Sequence, residues 1–383
     1  MRRRFCRNVI LAGALLSLAA CSTRETKEAL AQADKLASQQ KYEDANEVLI
    51  DALRARETKI RADIEAPTQQ AEIDALTKKV QADPEILKME RAQIPLYLDL
   101  DRADLAAAVY TDIIAGHPGD PVLNNLLASK DVKMRTNAAR TMGLTGSADA
   151  VDPLIVAVTD VDSNVRSEAV ASLGLIQSPK AVPTLIKALN DSYWLVRSEA
   201  ADALGHEKDV SAVGPLLDTV SDPDTNVASS AETALVALTQ VKGVTADMFA
   251  AHLNDVNPKI AMISAICLAV MKDPRATPVL IKLAASPDVA TRLHAVKGLG
   301  ETGDPAVIPT LRQTLHDPEV NVRGWSIIGL DNLKDTGSIP ALTALSTDQT
   351  QTPRIREFAA GAVAHLTSQT ASNTPAPAPA PAK

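Results

Sequence analysis

The sequence predicts an all-α protein, a right-handed α-solenoid of stacked antiparallel helix pairs, and three observations carry that expectation. One phrase recurs eight times, most clearly as Asn164-Val165-Arg166-Ser167-Glu168-Ala169-Val170-Ala171-Ser172-Leu173-Gly174. Its copies are anchored at 134, 165, 196, 227, 260, 291, 322 and 355, in steps of 31 residues with two of 33. A fixed period of about 20 to 50 residues is the signature of stacked supersecondary units. Each period also holds two apolar stripes at helical spacing: Val182, Leu185, Ile186 and Leu189 in a predicted helix over 179–189, then Val196, Ala200, Ala203 and Leu204 after Asn190-Asp191-Ser192. Neither stripe can be buried within its own pair, so neighbouring pairs must stack to make a core.

The chain opens with the basic run Met1-Arg2-Arg3-Arg4-Phe5-Cys6-Arg7 and an apolar stretch over 9–20 that is short for a membrane span. It ends in Leu18-Ala19-Ala20-Cys21, which resembles a bacterial lipobox. The resemblance implies that residues 1–20 are a lipoprotein signal peptide, that Cys21 carries diacylglycerol on its thiol and that the new amino terminus carries an acyl chain. No other cofactor is expected. Buried acyl CH₂ groups contribute about 0.8 kcal/mol each, so two or three chains hold firmly where one does so marginally. Ser22 stands where an aspartate would resemble the inner-membrane retention signal, which makes the outer membrane, facing the periplasm, the expected address. An ordinary secretory signal with a coincidental cysteine is the competing reading. Of the other cysteines, Cys6 leaves with the leader and Cys267 lies among apolar neighbours, as a small core residue does.

Residues 21–118 are predicted helical without the Val-Arg phrase. Gln40-Lys41-Tyr42-Glu43-Asp44-Ala45 with Leu49, Ala52 and Leu53, and then Ala106, Tyr110, Ile113, Ile114 and Pro118, resemble tetratricopeptide repeats. Between them a long polar helix is expected over 57–80, interrupted near Pro67, with a restart at Pro84.

Residues 119–369 hold the repeat array. Val-Arg-x-x-Ala-x-x-x-Leu-Gly in the second helix, with Ala181, Val182, Leu185 and Ile186 in the first, resembles the short HEAT-like repeats first named from phycobilisome lyases. That resemblance implies about eight repeats acting mainly as a scaffold. Residues 121–129 and 133–143 serve as the first pair, and no Gly/Ser-rich linker precedes them, so one continuous, slightly bent solenoid is expected. Residues 370–383 end in alternating Pro and Ala over 375–382, which favours an extended, disordered tail over a docking motif.

Three columns run through the array. An Asp stands six residues before the Arg in Asp160 and Arg166, Asp191 and Arg197, and Asp317 and Arg323. In HEAT-like families such residues form a structural ladder between successive repeats, the carboxylate capping the second helix and accepting from a neighbouring guanidinium. Asp222 and Asp255 keep the acid where Ala228 and Ala261 replace the arginine, next to the first 33-residue step, so an irregular middle repeat is expected there. The second column, two residues after the Arg, reads Glu168, Glu199, Ser230, Ile263, His294, Trp325 and Phe358. Either it packs between repeats or it presents an apolar strip for a partner, with Ile263, His294, Trp325 and Phe358 as contacts; Trp194, beside Tyr193, is a separate candidate. The third, Gly174, Gly205 and Gly300, closes the second helices, where a left-handed cap is expected.

Chemistry finds little support. The histidines at 117, 206, 252, 294, 316 and 365 fall in different repeats without metal-ligand spacing, and no Walker, Rossmann or nucleophile-elbow motif occurs. No catalytic or metal residues are assigned. Without the four arginines of the leader the chain keeps 35 basic and 47 acidic residues, a net charge of −12, which repels phosphate backbones and disfavours nucleic acid. The expected function is a membrane-anchored periplasmic scaffold or adaptor that binds partner proteins and has no chemistry of its own. The alternative is a lyase-like solenoid enzyme or ligand carrier with a site across concave helices, and a peptidoglycan adaptor is a third reading.

Overall fold

A computed structural model of the protein describes residues 23–39, 41–62, 78 and 81–372. The leader, Cys21, most of the expected helix beyond Ala62 and the Pro/Ala segment from 373 lie outside the described residues. Every regular element among the described residues is a helix. In chain order they are α1 (Thr23–Ser38), α2 (Tyr42–Ala62), α3 (Pro84–Asp99), α4 (Ala103–Gly116), α5 (Val122–Leu127), α6 (Val132–Thr145), α7 (Val151–Ala157), α8 (Ser163–Ile176), α9 (Val182–Ala188) and α10 (Trp194–Glu207). There follow α11 (Val213–Thr219), α12 (Thr225–Leu238), α13 (Ala246–Ala250), α14 (Pro258–Val270), α15 (Ala276–Leu283), α16 (Val289–Thr302), α17 (Ile308–Thr314), α18 (Val320–Asn332), α19 (Ile339–Thr347) and α20 (Pro353–Ser372). The chain divides between Ala203 and Leu204 into two compact units.

The second helices are built to one plan, and α8 shows why. Asp162 caps it by accepting the Asn164 N–H at 2.8 Å. Val165, Ala169, Val170 and Leu173 then form a stripe with no exposed surface. The helix stops because Gln177 turns left-handed, with φ 55°. The first helices are shorter than expected: the stretch over 179–189 is a single 3-10 turn, Pro179–Ala181, followed by the seven residues of α9. Pro183 sits in the first turn of α9, where a missing N–H costs nothing.

The glycines play a different part from the one expected. Gly174 lies inside α8, and a Cβ on it would stand 2.7 Å from the Cβ of Ala203 and 3.1 Å from its Cα. Gly205 and Gly300 are as close to Ala234 and Gly329. These residues let neighbouring second helices touch backbone to backbone. The left-handed position falls three residues later, at Gly146, Gln177, Lys208, Lys272, Gly303 and Lys334.

In the first unit the N-terminal helices pass into the array without a break. Asn137 of α6 donates to Leu98 O and to Asp101 Oδ1, each at 2.9 Å. Tyr110 donates to Asp120 O at 2.8 Å, and Ala45, Leu49, Ile86 and Met89 pack in one core with Ala33.

In the second unit the middle repeat is irregular. The position that is left-handed elsewhere is right-handed at Thr239, the chain turns at Gly243 with φ 103°, and α13 has only five residues. Phe249 of α13 is completely buried.

Gly174→Ala tests the close approach. Ala is favoured over Gly in a helix by about 1 kcal/mol, yet the contact with Ala203 should outweigh this and lower the melting temperature. A raised melting temperature would show that the helices do not touch there.

Candidate functional site

The arginine column forms a ladder within each unit. Arg166 Nε and Nη2 donate to the two carboxylate oxygens of Asp191, both at 2.8 Å, while Nη1 donates to Asp160 O at 2.9 Å. Arg135 grips Asp160 in the same way at 2.7 and 3.0 Å, and Arg292 grips Asp317 at 2.8 and 3.1 Å. The ladder therefore runs between successive repeats, each carboxylate accepting from a neighbouring guanidinium as expected. The carboxylate accepts from the arginine 25 residues earlier, in the preceding repeat, and the arginine six residues later donates to that Asp's backbone carbonyl. Arg197 thus donates to Asp191 O at 2.9 Å, and Arg323 to Asp317 O at 2.7 Å.

The expected capping role is not theirs, for Asp160, Asp191 and Asp317 do not cap the second helix. Each folds back on the N–H two residues on, at Asp162, Tyr193 and Glu319, all at 2.8 Å. Capping passes to the next polar residue, such as Asp162 or Glu319, because the ladder acid's oxygens are already engaged.

Burial disfavours the ionised form of these acids, but the arginine and the N–H outweigh it and hold Asp160, Asp191 and Asp317 below the usual carboxylate range. Sequence reasoning missed further rungs. Arg56 pairs with Asp83 at 2.8 Å, Arg91 Nε donates to Asp120 at 2.8 Å, and Arg312 pairs with Asp335 at 2.7 Å. Their separations of 27, 29 and 23 residues do not follow the period of the Val-Arg phrase. Where Ala228 and Ala261 interrupt the column, Asn257 Nδ2 donates to Ser221 Oγ at 2.6 Å.

The column two residues after the arginine is half-buried throughout except at Ile263, which is 2% exposed and offers nothing to a partner. This overturns its place in an apolar strip. On α14 the consecutive residues Met262 to Ala265 are all buried, so this helix is enclosed on several sides and not only along one stripe.

The rest of the column differs between units. In the first, Arg140 pairs with Glu168 at 2.7 Å. Glu199 has its carboxyl raised by burial and by the charges of Asp202 and Glu168. In the second, Lys297 Nζ lies 5.2 Å from the centre of the Trp325 ring and the Arg354 guanidinium 5.2 Å from that of Phe358. His294 lies 3.8 Å from Glu232. The Phe358 ring also lies over Gly324, where an added Cβ would meet it at 3.8 Å. Trp194 opens α10 in the first unit, 37% exposed and tilted against Tyr193 at 6.1 Å.

Among the described residues no three His, Cys, Asp or Glu side chains come together to hold a metal ion, and no helix is long and apolar enough to cross a membrane. Cys267 is buried, and burial followed by the charge of Glu232 pushes its thiol up. In the N-terminal helices, burial and then the charge of Asp112 raise Glu57 and Glu90 to about 7.

These features define an all-helical solenoid of stacked helix pairs in which the recurring polar residues hold repeat to repeat. The model of HEAT repeats matches residues 119–205, 152–236 and 245–330, and the chain belongs to that family. No curated protein matches it. Among solved structures, Kap95p bound to RanGDP is similar at 14% identity and a TM-score of 0.58, over 93% of this chain and 56% of that one. Kap95 bound to Nup1 is similar at 13% identity and a TM-score of 0.59, over 93% and 57%. The complex of CpcE and CpcF of phycocyanin lyase from Nostoc aligns at 22% identity and a TM-score of 0.34, over 64% of this chain and 93% of that one.

The two sets of carboxylates pull stability in opposite directions with pH. Asp160 and Asp191, depressed in the fold, add stability above their unfolded pKa near 3.9, and it is lost as pH falls through their lower folded values. Glu57 and Glu90, raised from 4.5 to about 7, favour the fold below 4.5 and lose that contribution as pH rises towards 7. Urea unfolding of the protein at pH 4.5 and at pH 8 should therefore give a stability decrease that Glu57→Gln with Glu90→Gln makes smaller. An unchanged decrease in the double variant would place its source elsewhere.

Proposed function

We propose that the protein is a scaffold or adaptor that binds partner proteins through its HEAT surface, performs no chemistry of its own, and is held by lipid on Cys21 at the periplasmic face of a bacterial outer membrane. The observation that carries the binding part is the half-exposed seam of the second unit, where Lys297 lies against Trp325 and Arg354 against Phe358. Aromatic side chains flanked by cations combine large contact area with few rotors, the composition that dominates protein interfaces. The two Kap95 structures, described as complexes with RanGDP and with Nup1, support a protein-binding use of such a surface.

The lipid part rests on Leu18-Ala19-Ala20-Cys21 and the basic run before it. An anchor would confine the scaffold and its partners to a thin layer and raise their effective concentration.

Crosslinking and pull-down from membranes tests both parts. Trp325→Ala and Phe358→Ala should each lower partner recovery about tenfold, the effect of losing roughly 1.4 kcal/mol at an interface anchor. Full recovery in both variants would rule out the seam. Cys21→Ser should move the protein from the membrane to the soluble fraction, and continued membrane retention would argue against a lipid anchor.

A further inference from the structure

Three helices of the first unit, α2, α3 and α4, contribute the lining of a cleft of about 510 Å³. Its volume falls within the range of about 300 to 1,000 Å³ typical of ligand sites. The lining is chemically divided. Ile50, Leu100 and Leu105 are half-buried and, with the largely buried Tyr97, give it an apolar part. Glu43, Glu47 and Asp51 line it from α2, and their spacing of four residues puts them on one helix face.

Two cations also line the cleft, but both are engaged. Arg54 stands 3.6 Å from Asp51, and Arg102 donates to Asp104 from Nε at 3.0 Å and from Nη2 at 3.2 Å. Glu43 and Glu47 remain, exposed, as the charges with no counter-ion among the described residues.

Helix stability accounts for only one of them. Glu43 lies in the first turn of α2, where a negative charge complements the helix dipole. Glu47, a turn further on, gains little from the dipole, and a like charge four residues away disfavours the helix by a few tenths of a kcal/mol. Such an arrangement is suited to receiving a cation from outside.

We propose that this cleft docks an extended, cationic peptide segment of a partner protein, its lysine or arginine side chains meeting Glu43 and Glu47 and an apolar side chain resting on Ile50, Leu100 and Leu105. The apolar contact favours a peptide over a bare polyamine, and the acidic wall disfavours an anionic membrane surface. This deepens the protein-binding reading and rests on it, while depending on neither the Trp325 seam nor the lipid.

The test is fluorescence anisotropy of a fluorescein-labelled, amide-ended peptide Gly-Lys-Leu-Gly-Lys-Leu-Gly titrated with the full chain. A second peptide with glutamate in place of lysine serves as the comparator. The lysine peptide should bind, more tightly at low salt, and Glu43→Gln with Glu47→Gln should weaken it at least tenfold while the circular dichroism spectrum stays unchanged. Equal binding by the double variant, equal binding of the glutamate peptide, or displacement by equimolar spermidine would each overturn the proposal. Failure of the lysine peptide to bind, with partner capture through the Trp325 seam intact, would remove the cleft and leave the scaffold reading standing.

Discussion

Each ladder arginine holds two repeats at once. Nη1 of Arg166 is tied to the turn that opens its own helix, at Asp160 O, while Nε and Nη2 reach the carboxylate of the next repeat at Asp191. Exposed ion pairs are worth about 0 to 1 kcal/mol, but this one is bidentate, with side chains only 14% and 15% exposed. Apolar burial supplies most of the driving force and is indifferent to register. The guanidinium is directional, and together with the bare backbone contact at Gly174 and Ala203 it sets how one second helix lies on the next.

Departures from that ladder are where the chain becomes individual. At Ala228 and Ala261 the guanidinium is gone, Asn257 and Ser221 bridge instead, and the short α13 buries Phe249 completely. In the second unit the neighbouring column turns to aromatic rings with cations against them, whereas in the first it carries Glu168 and Glu199. Structural positions repeat because stacking demands the same solution each time, and positions free of that demand are available for recognition.

The helix pairs, their order and the ladder columns were legible in the sequence, because stacking forces a period and a period exposes whatever repeats with it. So was a ladder between successive repeats, although only the structure shows that the guanidinium comes from 25 residues earlier. The capping role was misassigned, because the ladder acid and the true cap stand two residues apart and are both acidic. Gly174 was legible as a special position but not for its reason, since a helix end and a helix contact both select glycine. Ile263 was misplaced because a column of half-buried residues says nothing of a helix that is enclosed on several sides. The N-terminal rungs at Arg56 and Arg91, and the cleft beside Tyr97, lie where no strict period exists to reveal them.

The proposed scaffold role calls for a stack that keeps its register and a surface that differs from repeat to repeat. The ladder meets the first need, and the two unlike seams are suited to the second. The most direct measurement is a double-mutant cycle on Arg166→Ala and Asp191→Ala followed by urea unfolding. A structural rung should cost on the order of 2 kcal/mol when either residue is removed, with a coupling of about 1 kcal/mol or more between them. Additive, negligible losses in stability combined with loss of partner capture would contradict the account, because they would make the ladder a binding site and not the element that holds the repeats together.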